Sequence, residues 1–244
     1  MTIFWSYGGG WQTIAIAVLI KQGHLPMPDL IGIADTSREV DATKLYLDNI
    51  IRPAGFDVTV IPHSLATVDL YREDELLIPA FTRRNGKIGQ MSTFCSTEWK
   101  QRVCRRWLRE KGVTDCEAWL GISTNEMHRM KDSGLAWYRH KYPLIETVPM
   151  NRAQCGGLVE AFGWPEPPKS RCWNCPMMST HDWQQLKADE PHNFQKAVEM
   201  DNDIRVHDRD VYLHRSGLPL TQAIEQSEMQ PELFDGCDSG YCMV

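Results

Sequence analysis

Residues 4–13 read FWSYGGGWQT, which sets three successive glycines between two apolar stretches near the first residue of the sequence. Residues 3–6 are mostly apolar and predict a short strand. In residues 11–22, apolar side chains recur at every third or fourth position, and that spacing predicts a helix. A strand, a glycine turn and the start of a helix therefore follow one another within a few residues.

This arrangement is typical of a phosphate-binding loop. Glycines let the backbone approach a ligand closely, and a helix N-terminus presents N–H groups and a favourable dipole to an anion. The stretch lacks the Gly-Lys-Ser/Thr of a Walker P-loop and the spacing of a Rossmann GxGxxG. A plain tight turn is the competing interpretation, but three glycines flanked by Ser6, Tyr7 and Thr13 favour phosphate binding.

Strand and helix patterns alternate as far as residue 150. Further strands are predicted at 30–34, 56–61, 116–122 and 144–148, and further helices at 38–51 and 98–110. This alternation predicts an α/β fold, a parallel sheet with helices on both faces. Ligands of such sheets bind beyond the carboxyl ends of the strands. Three distinctive stretches lie there: the triple glycine, Asp35-Thr36-Ser37 and Gly121-Ile122-Ser123.

The pattern changes after residue 150. Prolines interrupt the sequence first, and two helix-like stretches at 180–188 and 191–201 precede a tail with Cys237 and Cys242. We therefore expect a nucleotide-binding α/β domain at 1–150. A smaller, mostly helical, cysteine-containing lobe and tail should occupy 151–244.

The composition argues against two classes of protein. The 244 residues have a net charge of −6, so the molecule as a whole does not attract nucleic acid, although a local basic patch is compatible with this total. No apolar run reaches the roughly 20 residues of a membrane span, and the N-terminal stretch lacks the features of a secretory signal. These features predict a cytoplasmic protein with mostly reduced cysteines.

A family resemblance covers most of the sequence. Gly8-Gly9-Gly10-Trp11-Gln12-Thr13 resembles the PP-loop Ser-Gly-Gly-x-Asp-Ser of ATP pyrophosphatases and of the related phosphoadenosine phosphosulfate (PAPS) reductase family. Further stretches resemble motifs of this family in the same order: Asp35-Thr36-Ser37 with Glu39, Cys95 with Trp99-Lys100, Gly121-Ile122-Ser123-Thr124-Asn125-Glu126 with Arg129, Tyr142-Pro143-Leu144, and Lys169-Ser170-Arg171-Cys172-Trp173-Asn174-Cys175-Pro176. The last of these is similar to an element of PAPS-reductase-like proteins, many of them phage-encoded.

The resemblance implies the adenine nucleotide α-hydrolase fold and a site for ATP with Mg²⁺, or for PAPS. It implies catalytic roles for Lys100 and for the tail cysteines Cys237 and Cys242. The residues expected to bind the nucleotide are Ser6, Tyr7, Gly8, Gly9, Gly10, Gln12, Thr13, Asp35, Thr36, Ser37, Gly121, Ile122, Arg129 and Lys169.

The sequence departs from the family pattern at three places. Gly8 stands where the PP-loop has Ser, and Gln12 stands where it has an Asp that could help to hold magnesium. Sulfonucleotide reductases also carry a tail Glu-Cys-Gly-Leu-His, whose cysteine attacks the substrate. The tail of this sequence has cysteines but neither that motif nor its histidine.

Three functions stay open at this point. The first is ATP-dependent adenylation of an acceptor, coupled to sulfur transfer. The second is reduction of a sulfonucleotide to sulfite, and the third is nucleotide binding without turnover. The acceptor would be a nucleic acid or a small metabolite, and both a sulfur-donor protein and a homodimer are compatible with the resemblance.

The cysteines suggest a metal. Cys172-x-x-Cys175 offers two thiolates on one turn, and a full site needs about four ligands. The resemblance implies a [4Fe–4S] cluster, with Zn²⁺ or ordinary reduced thiols as alternatives. Cys155 is the nearest upstream ligand candidate, and the candidates for the fourth ligand are Cys95, Cys237 and Cys242, of which we favour Cys242.

Arginines share one face of the helix predicted at 98–110. They are Arg102, Arg105, Arg106 and Arg109, which recur at helical spacing. A track for phosphate or nucleic acid would use such a face. A solvated face is the commoner explanation, and we expect it for these four arginines. Lys100, on the same predicted helix, is the exception, because the resemblance implies a position near the nucleotide.

Overall fold

The structure, a computed structural model, describes residues 1–62, 71–72, 75–76, 78–91 and 95–229. The chain divides into two compact units. The first consists of Met1–Val68 and Thr97–Arg171, and the second of Asp69–Ser96 and Cys172–Val244. The predicted boundary at residue 150 falls inside the first unit.

In the described residues, the strands are β1 Thr2–Ser6, β2 Leu30–Ala34, β3 Val58–Ile61, β4 Tyr71–Arg72, β5 Glu75–Leu76, β6 Phe81–Arg84, β7 Lys87–Gln90, β8 Cys116–Trp119, β9 Tyr138–Lys141 and β10 Val211–Tyr212. The helices are α1 Trp11–Lys21, α2 Asp41–Tyr46, α3 Arg102–Glu110, α4 Pro143–Glu146, α5 Arg152–Ala161, α6 Thr180–Asp189, α7 Pro191–His207 and α8 Leu220–Met229. Leu47–Ile51 and Ser96–Gln101 are π-helical, and Thr124–Arg129 is a 3-10 segment.

The first unit is built on a parallel sheet of strand order β3-β2-β1-β8-β9. At its centre, Phe4 of β1 is paired with Leu30 of β2 and with Ala118 of β8. Both outer pairings, β2 with β3 and β8 with β9, are parallel as well. The predicted α/β fold with a parallel sheet is confirmed.

Helices cover both faces of this sheet. Successive residues of a strand point to opposite faces, and the two core clusters follow that rule. Trp5 packs in one cluster with Ile14 of α1 and Val159 of α5. Phe4 packs in the other cluster with Leu108 of α3. Residues 13–20 of α1 are all buried, which fixes this helix firmly behind the glycine loop.

The strand predicted at 144–148 is wrong. Pro143–Glu146 forms the short helix α4, which begins at a proline; proline suits the first helical position because its missing N–H would have no partner there. The fifth strand of the sheet is β9, which lies at the edge and pairs with β8. Its sequence YRHK has no apolar run, and charged side chains are common on edge strands because they discourage further pairing.

The second unit contains an antiparallel sheet of order β10-β6-β7 and the helices α6, α7 and α8. Asp201 of α7 is buried and accepts hydrogen bonds from the backbone N–H groups of Leu213 at 2.9 Å and Leu220 at 2.8 Å. Its carboxylate also pairs with Arg205. Asp201 therefore joins α7 to the segments around β10 and α8. In the described part of the chain, no helix combines the length and apolar character that crossing a membrane requires.

Candidate functional site

The glycine loop makes a sharp turn between β1 and α1. Gly9 has a φ of +74°, in the left-handed region that glycine adopts most easily. A Cβ atom on Gly9 would lie only 2.5 Å from Cγ2 of Thr43, so a larger residue does not fit there without movement. This close approach, together with the backbone conformation, explains why glycine occupies the tip of the loop.

The N-terminus of α1 is open. Gly10 precedes the helix in an extended conformation, no side chain caps the helix, and its first turn contains no acidic residue. The N–H of Ile14 bonds to the carbonyl of Gly10 at 3.0 Å. The N–H groups before Ile14 have no acceptor within the helix, so they are available to an anion.

Buried hydroxyl groups occur in the segments that follow three adjacent strands. Tyr7 follows β1, Thr43 lies in α2 after β2, and Ser123 follows β8. None of these three hydroxyls has a hydrogen-bond partner among the described residues. Burial raises the pKa of the Tyr7 hydroxyl above its usual range, so it stays a neutral donor. Because an unpartnered buried hydroxyl is costly, a ligand that accepts hydrogen bonds would be favoured here.

Ser170 reaches the glycine loop from the other end of the first unit's sequence. Its hydroxyl donates to the carbonyl of Gly8 and lies 3.6 Å from where a Cβ of Gly9 would be. The next residue, Arg171, accepts a hydrogen bond through its carbonyl from the N–H of Val40 at 3.1 Å. A hydroxyl thus lies beside Gly8.

Glu126 lies at the first turn of α1. Nε2 of Gln12 donates to Oε2 of Glu126 at 2.9 Å, and Arg129 pairs with Oε1 of the same carboxylate. Gly121 allows this approach: a Cβ there would lie 2.9 Å from Oγ1 of Thr13 and 3.3 Å from its backbone nitrogen. A carboxylate is therefore present at the helix start, although position 12 itself is an amide.

The Asp35-Thr36-Ser37 stretch forms a turn directly after β2. Oδ1 of Asp35 accepts the backbone N–H of Ser37 at 2.7 Å, and Ser37 has a left-handed φ of 58°. Thr36 is buried, and its hydroxyl lies 3.5 Å from Oε1 of Glu39. Nζ of Lys100 binds the same oxygen at 3.1 Å. The structure thus brings Lys100 to the loop that follows β2.

The remaining residues predicted to bind a nucleotide have less direct positions. Ser6 is the last residue of β1 and pairs with Gly32. Ile122 is buried, and its N–H binds the carbonyl of Leu120. Lys169 is exposed and adjoins Ser170. Their roles in nucleotide binding stay predictions.

The sequence analysis did not select Thr43, Ser170, Ser123 or Glu126 as binding residues. Ser123, Glu126 and Ser170 lie inside motifs that were noticed, so their hydroxyl and carboxylate groups were a usable signal. Thr43 gave no signal, because a threonine inside a predicted helix is unremarkable. Only the turn after β2 places it against Gly9.

The cysteine prediction has mixed support. Cys155 is completely buried in the core of the first unit, and burial raises the pKa of its thiol to about 11; both facts favour a packing role. Cys172 and Cys175 lie half-buried on one turn of the second unit, closed by a hydrogen bond from the Cys175 N–H to the Cys172 carbonyl. Cys237 and Cys242 lie outside the described residues. Within those residues, no group of three or more His, Cys, Asp or Glu side chains could hold a metal ion.

Solved structures similar to this chain include two enzymes. One is PAPS reductase from Candida auris in a phosphate complex, with 11% sequence identity and a TM-score of 0.45, covering 68% of this chain and 75% of that one. The other is the U34-tRNA thiolase NcsA from Methanococcus maripaludis with its [4Fe-4S] cluster, with 11% identity and a TM-score of 0.46, covering 85% of this chain and 70% of that one. No protein-family model matches the sequence, and no curated protein matches it. The resemblance to phage-encoded members stays a prediction.

Proposed function

We propose that the first unit binds ATP, with the phosphate groups against the glycine loop and the N-terminus of α1. The observation that supports this most is the uncapped helix start beside the buried hydroxyls of Tyr7 and Thr43. An anion would accept hydrogen bonds from the N–H groups of the helix start, and the helix dipole would favour its charge. A turn that binds no ligand would require neither an uncapped helix start nor unpartnered buried hydroxyls.

The carboxylate of Glu126 supports ATP with Mg²⁺ over PAPS. Proteins usually hold Mg²⁺ with one or two carboxylates together with substrate phosphates and water. Glu126 would supply that carboxylate, since Gln12 holds it at the first turn of α1. Bound Mg²⁺ would neutralise part of the phosphate charge. Arg129 and Lys100, each held by a carboxylate partner, would add positive charge around the nucleotide.

The reaction that we propose has two displacements. An oxygen of the acceptor attacks the α-phosphorus of ATP, the bond from that phosphorus to the bridging oxygen breaks, and pyrophosphate leaves with the bonding electrons. A sulfur nucleophile at the thiol oxidation level then attacks the acceptor carbon, and AMP leaves with the electrons of the C–O bond. The loop N–H groups stabilise the charge that develops on phosphate. A role of Cys237 or Cys242 in the second displacement remains a prediction.

Calorimetric titration of the anaerobically purified full chain tests this proposal first. We expect ATP with magnesium to bind more tightly than PAPS, and incubation with acceptor to yield AMP and pyrophosphate. A preference for PAPS would instead support a sulfonucleotide reductase. ATP binding without AMP formation from any acceptor would support a non-catalytic nucleotide-binding module. Binding of neither nucleotide would overturn the proposal.

A carboxamide variant separates the metal from the nucleotide. Glu126→Gln should reduce the magnesium-dependent part of the ATP affinity by about tenfold, because it removes the charge of a metal ligand. ATP titrated without magnesium should bind the variant at least as well as the parent. Glu146→Gln is the matched control, since Glu146 is also an ion-paired carboxylate of the first unit. Equal affinities of Glu126→Gln and the parent for ATP with magnesium would contradict this role.

A further inference from the structure

An open depression of about 390 Å³ lies between α3 and the segment that precedes β9. We call it the arginine groove. Its lining consists of Arg102, Arg105, Arg106, Arg109, Leu135 and Trp137. The opposite face of α3 is buried through Val103, Cys104 and Leu108. The helix is therefore fixed in place, and its arginines have a defined position on the first unit.

The groove concentrates positive charge in an acidic protein. Residues 96–111 contain six basic and two acidic side chains, whereas the net charge of the whole chain is −6. Arg102 pairs with Glu98 at 2.7 Å, and Arg106 lies 3.9 Å from Glu110. No ion pair among the described residues involves Arg105 or Arg109. The acidic side chains of this segment thus leave a surplus of guanidinium groups for an external anion.

An aromatic ring lies among these charges. The guanidinium of Arg109 lies 3.8 Å from the ring centroid of Trp137, a cation–π contact. Trp137 and Leu135 are only half-buried, so apolar surface is exposed within the basic groove. A groove that only kept the protein soluble would have no need of an exposed tryptophan. A base can stack on an aromatic ring while arginines bind the adjoining phosphates.

We propose that the arginine groove binds a single-stranded polynucleotide. Arg105 and Arg109 lie one turn apart on α3, about 5.4 Å along the helix, and so present to a phosphate backbone the two guanidinium groups that make no ion pair among the described residues. Trp137 adds a stacking surface that a duplex, with its bases paired, would leave unused. This inference does not depend on the proposed ATP site, because none of its residues lies in the glycine loop.

Fluorescence anisotropy with labelled oligonucleotides tests the inference on the full chain. Parallel titrations use single-stranded RNA, single-stranded DNA, the matching duplex and inorganic polyphosphate, each between 50 and 200 mM salt, the range over which phosphate contacts are lost. We expect a single strand to bind more tightly than the duplex and polyphosphate. The RNA and DNA titrations identify which single strand the groove prefers. Equal binding of polyphosphate and oligonucleotide would overturn the inference.

Variants assign the binding to the groove. Arg105→Gln with Arg109→Gln should lower the affinity by at least about tenfold and reduce the salt slope by about two, one for each lost phosphate contact. Trp137→Leu keeps an apolar side chain but removes the stacking surface. It should lower the affinity by about tenfold and leave the salt slope unchanged. Thermal melts of each variant establish that it is folded.

The control removes equal charge elsewhere in the first unit. Lys44→Gln with Arg52→Gln neutralises two exposed basic residues that pair with Asp41 and Asp48, outside the groove. This variant should bind oligonucleotide like the parent. If it loses as much affinity as the groove variant, the binding is non-specific and the inference fails. ATP titration of the same variants distinguishes the ATP site from the arginine groove, because the groove variants should retain the ATP affinity of the parent.

Discussion

The helices α1 and α5 pack against each other in the first unit, yet they begin in opposite ways. At α5, the side chain of Asn151 accepts the N–H of Gln154 at 2.8 Å, and the side chain of Gln154 accepts the N–H of Asn151 at 2.8 Å. At α1, Gly10 offers no side chain, and the first turn has no acidic residue. One helix start is closed by the chain itself, and the other is left open.

The difference between the two helix starts bears directly on the proposed ATP site. A capping box satisfies two backbone donors and stabilises the helix. The chain forgoes that stabilisation at α1, where glycines, the buried hydroxyls of Tyr7 and Thr43, and the carboxylate of Glu126 meet instead. The open start of α1 beside the glycine loop is the feature on which the proposed ATP site depends.

Closing the start of α1 should give the largest effect. Gly10→Asp is compatible with the backbone, because φ is −97° and a Cβ would lie 3.5 Å from Cβ of Ser170, an ordinary contact. The new carboxylate should cap the helix and raise the free energy of unfolding by about 0.5 kcal/mol. It should also lower the ATP affinity by at least about a hundredfold, because it occupies the N–H groups and repels phosphate.

Urea unfolding and calorimetric titration measure the two effects of Gly10→Asp separately. Gly10→Ala serves as its control, since it adds a Cβ without a cap or a charge and should keep most of the ATP affinity. If Gly10→Asp binds ATP as tightly as the parent, phosphate does not bind at the start of α1.

Gly9→Ala should have the next largest effect. It forces a side chain into a left-handed conformation and places Cβ 2.5 Å from Cγ2 of Thr43. We expect a loss of about 2 kcal/mol in the free energy of unfolding, and an ATP affinity about tenfold weaker because the N–H groups of the loop are displaced. The same denaturant and calorimetric measurements apply.

The control for Gly9→Ala lies at the other end of α1. Gly23 has a φ of +77°, and a Cβ there would meet no atom within 4 Å. Gly23→Ala should therefore cost about 1 kcal/mol of stability through backbone strain alone and leave ATP binding unchanged. Equal losses of ATP affinity in the two variants would mean that the loop geometry is not specific to the ligand.

The sequence predicts what depends on neighbouring residues. β1, the glycine turn and α1 follow from short-range patterns, and so do β2, α6 and α7. The strand β9 does not, because its place in the sheet comes from pairing with β8 and not from an apolar run. Pro143, directly before the strand predicted at 144–148, was a usable signal for a helix start that this prediction disregarded.

The candidate site also has a part that the sequence predicted and a part that it did not. The glycine loop was identified because its residues are consecutive. The contacts of Thr43 with Gly9, of Ser170 with Gly8 and of Gln12 with Glu126 join residues that are far apart in sequence. No local pattern specifies such contacts, since they arise when the loops after β1, β2 and β8 meet at one edge of the sheet. In the sequence, Gly8 and Gln12 are departures from the family pattern. In the structure, the hydroxyl of Ser170 lies beside Gly8 and the carboxylate of Glu126 lies beside Gln12.

Removing the cap of α5 should have the smallest effect and is the strictest check on the comparison. Asn151→Ala removes the side-chain acceptor of the Gln154 N–H, whereas the backbone N–H of residue 151 keeps its bond to the Gln154 side chain; the free energy of unfolding should fall by about 1 kcal/mol. ATP affinity should not change, because the start of α5 takes no part in the proposed site. Urea unfolding and ATP titration of the same preparation measure both quantities. If the ATP affinity falls as far as it does in Gly9→Ala, α5 contributes to the site, and its capped start is more than a structural device.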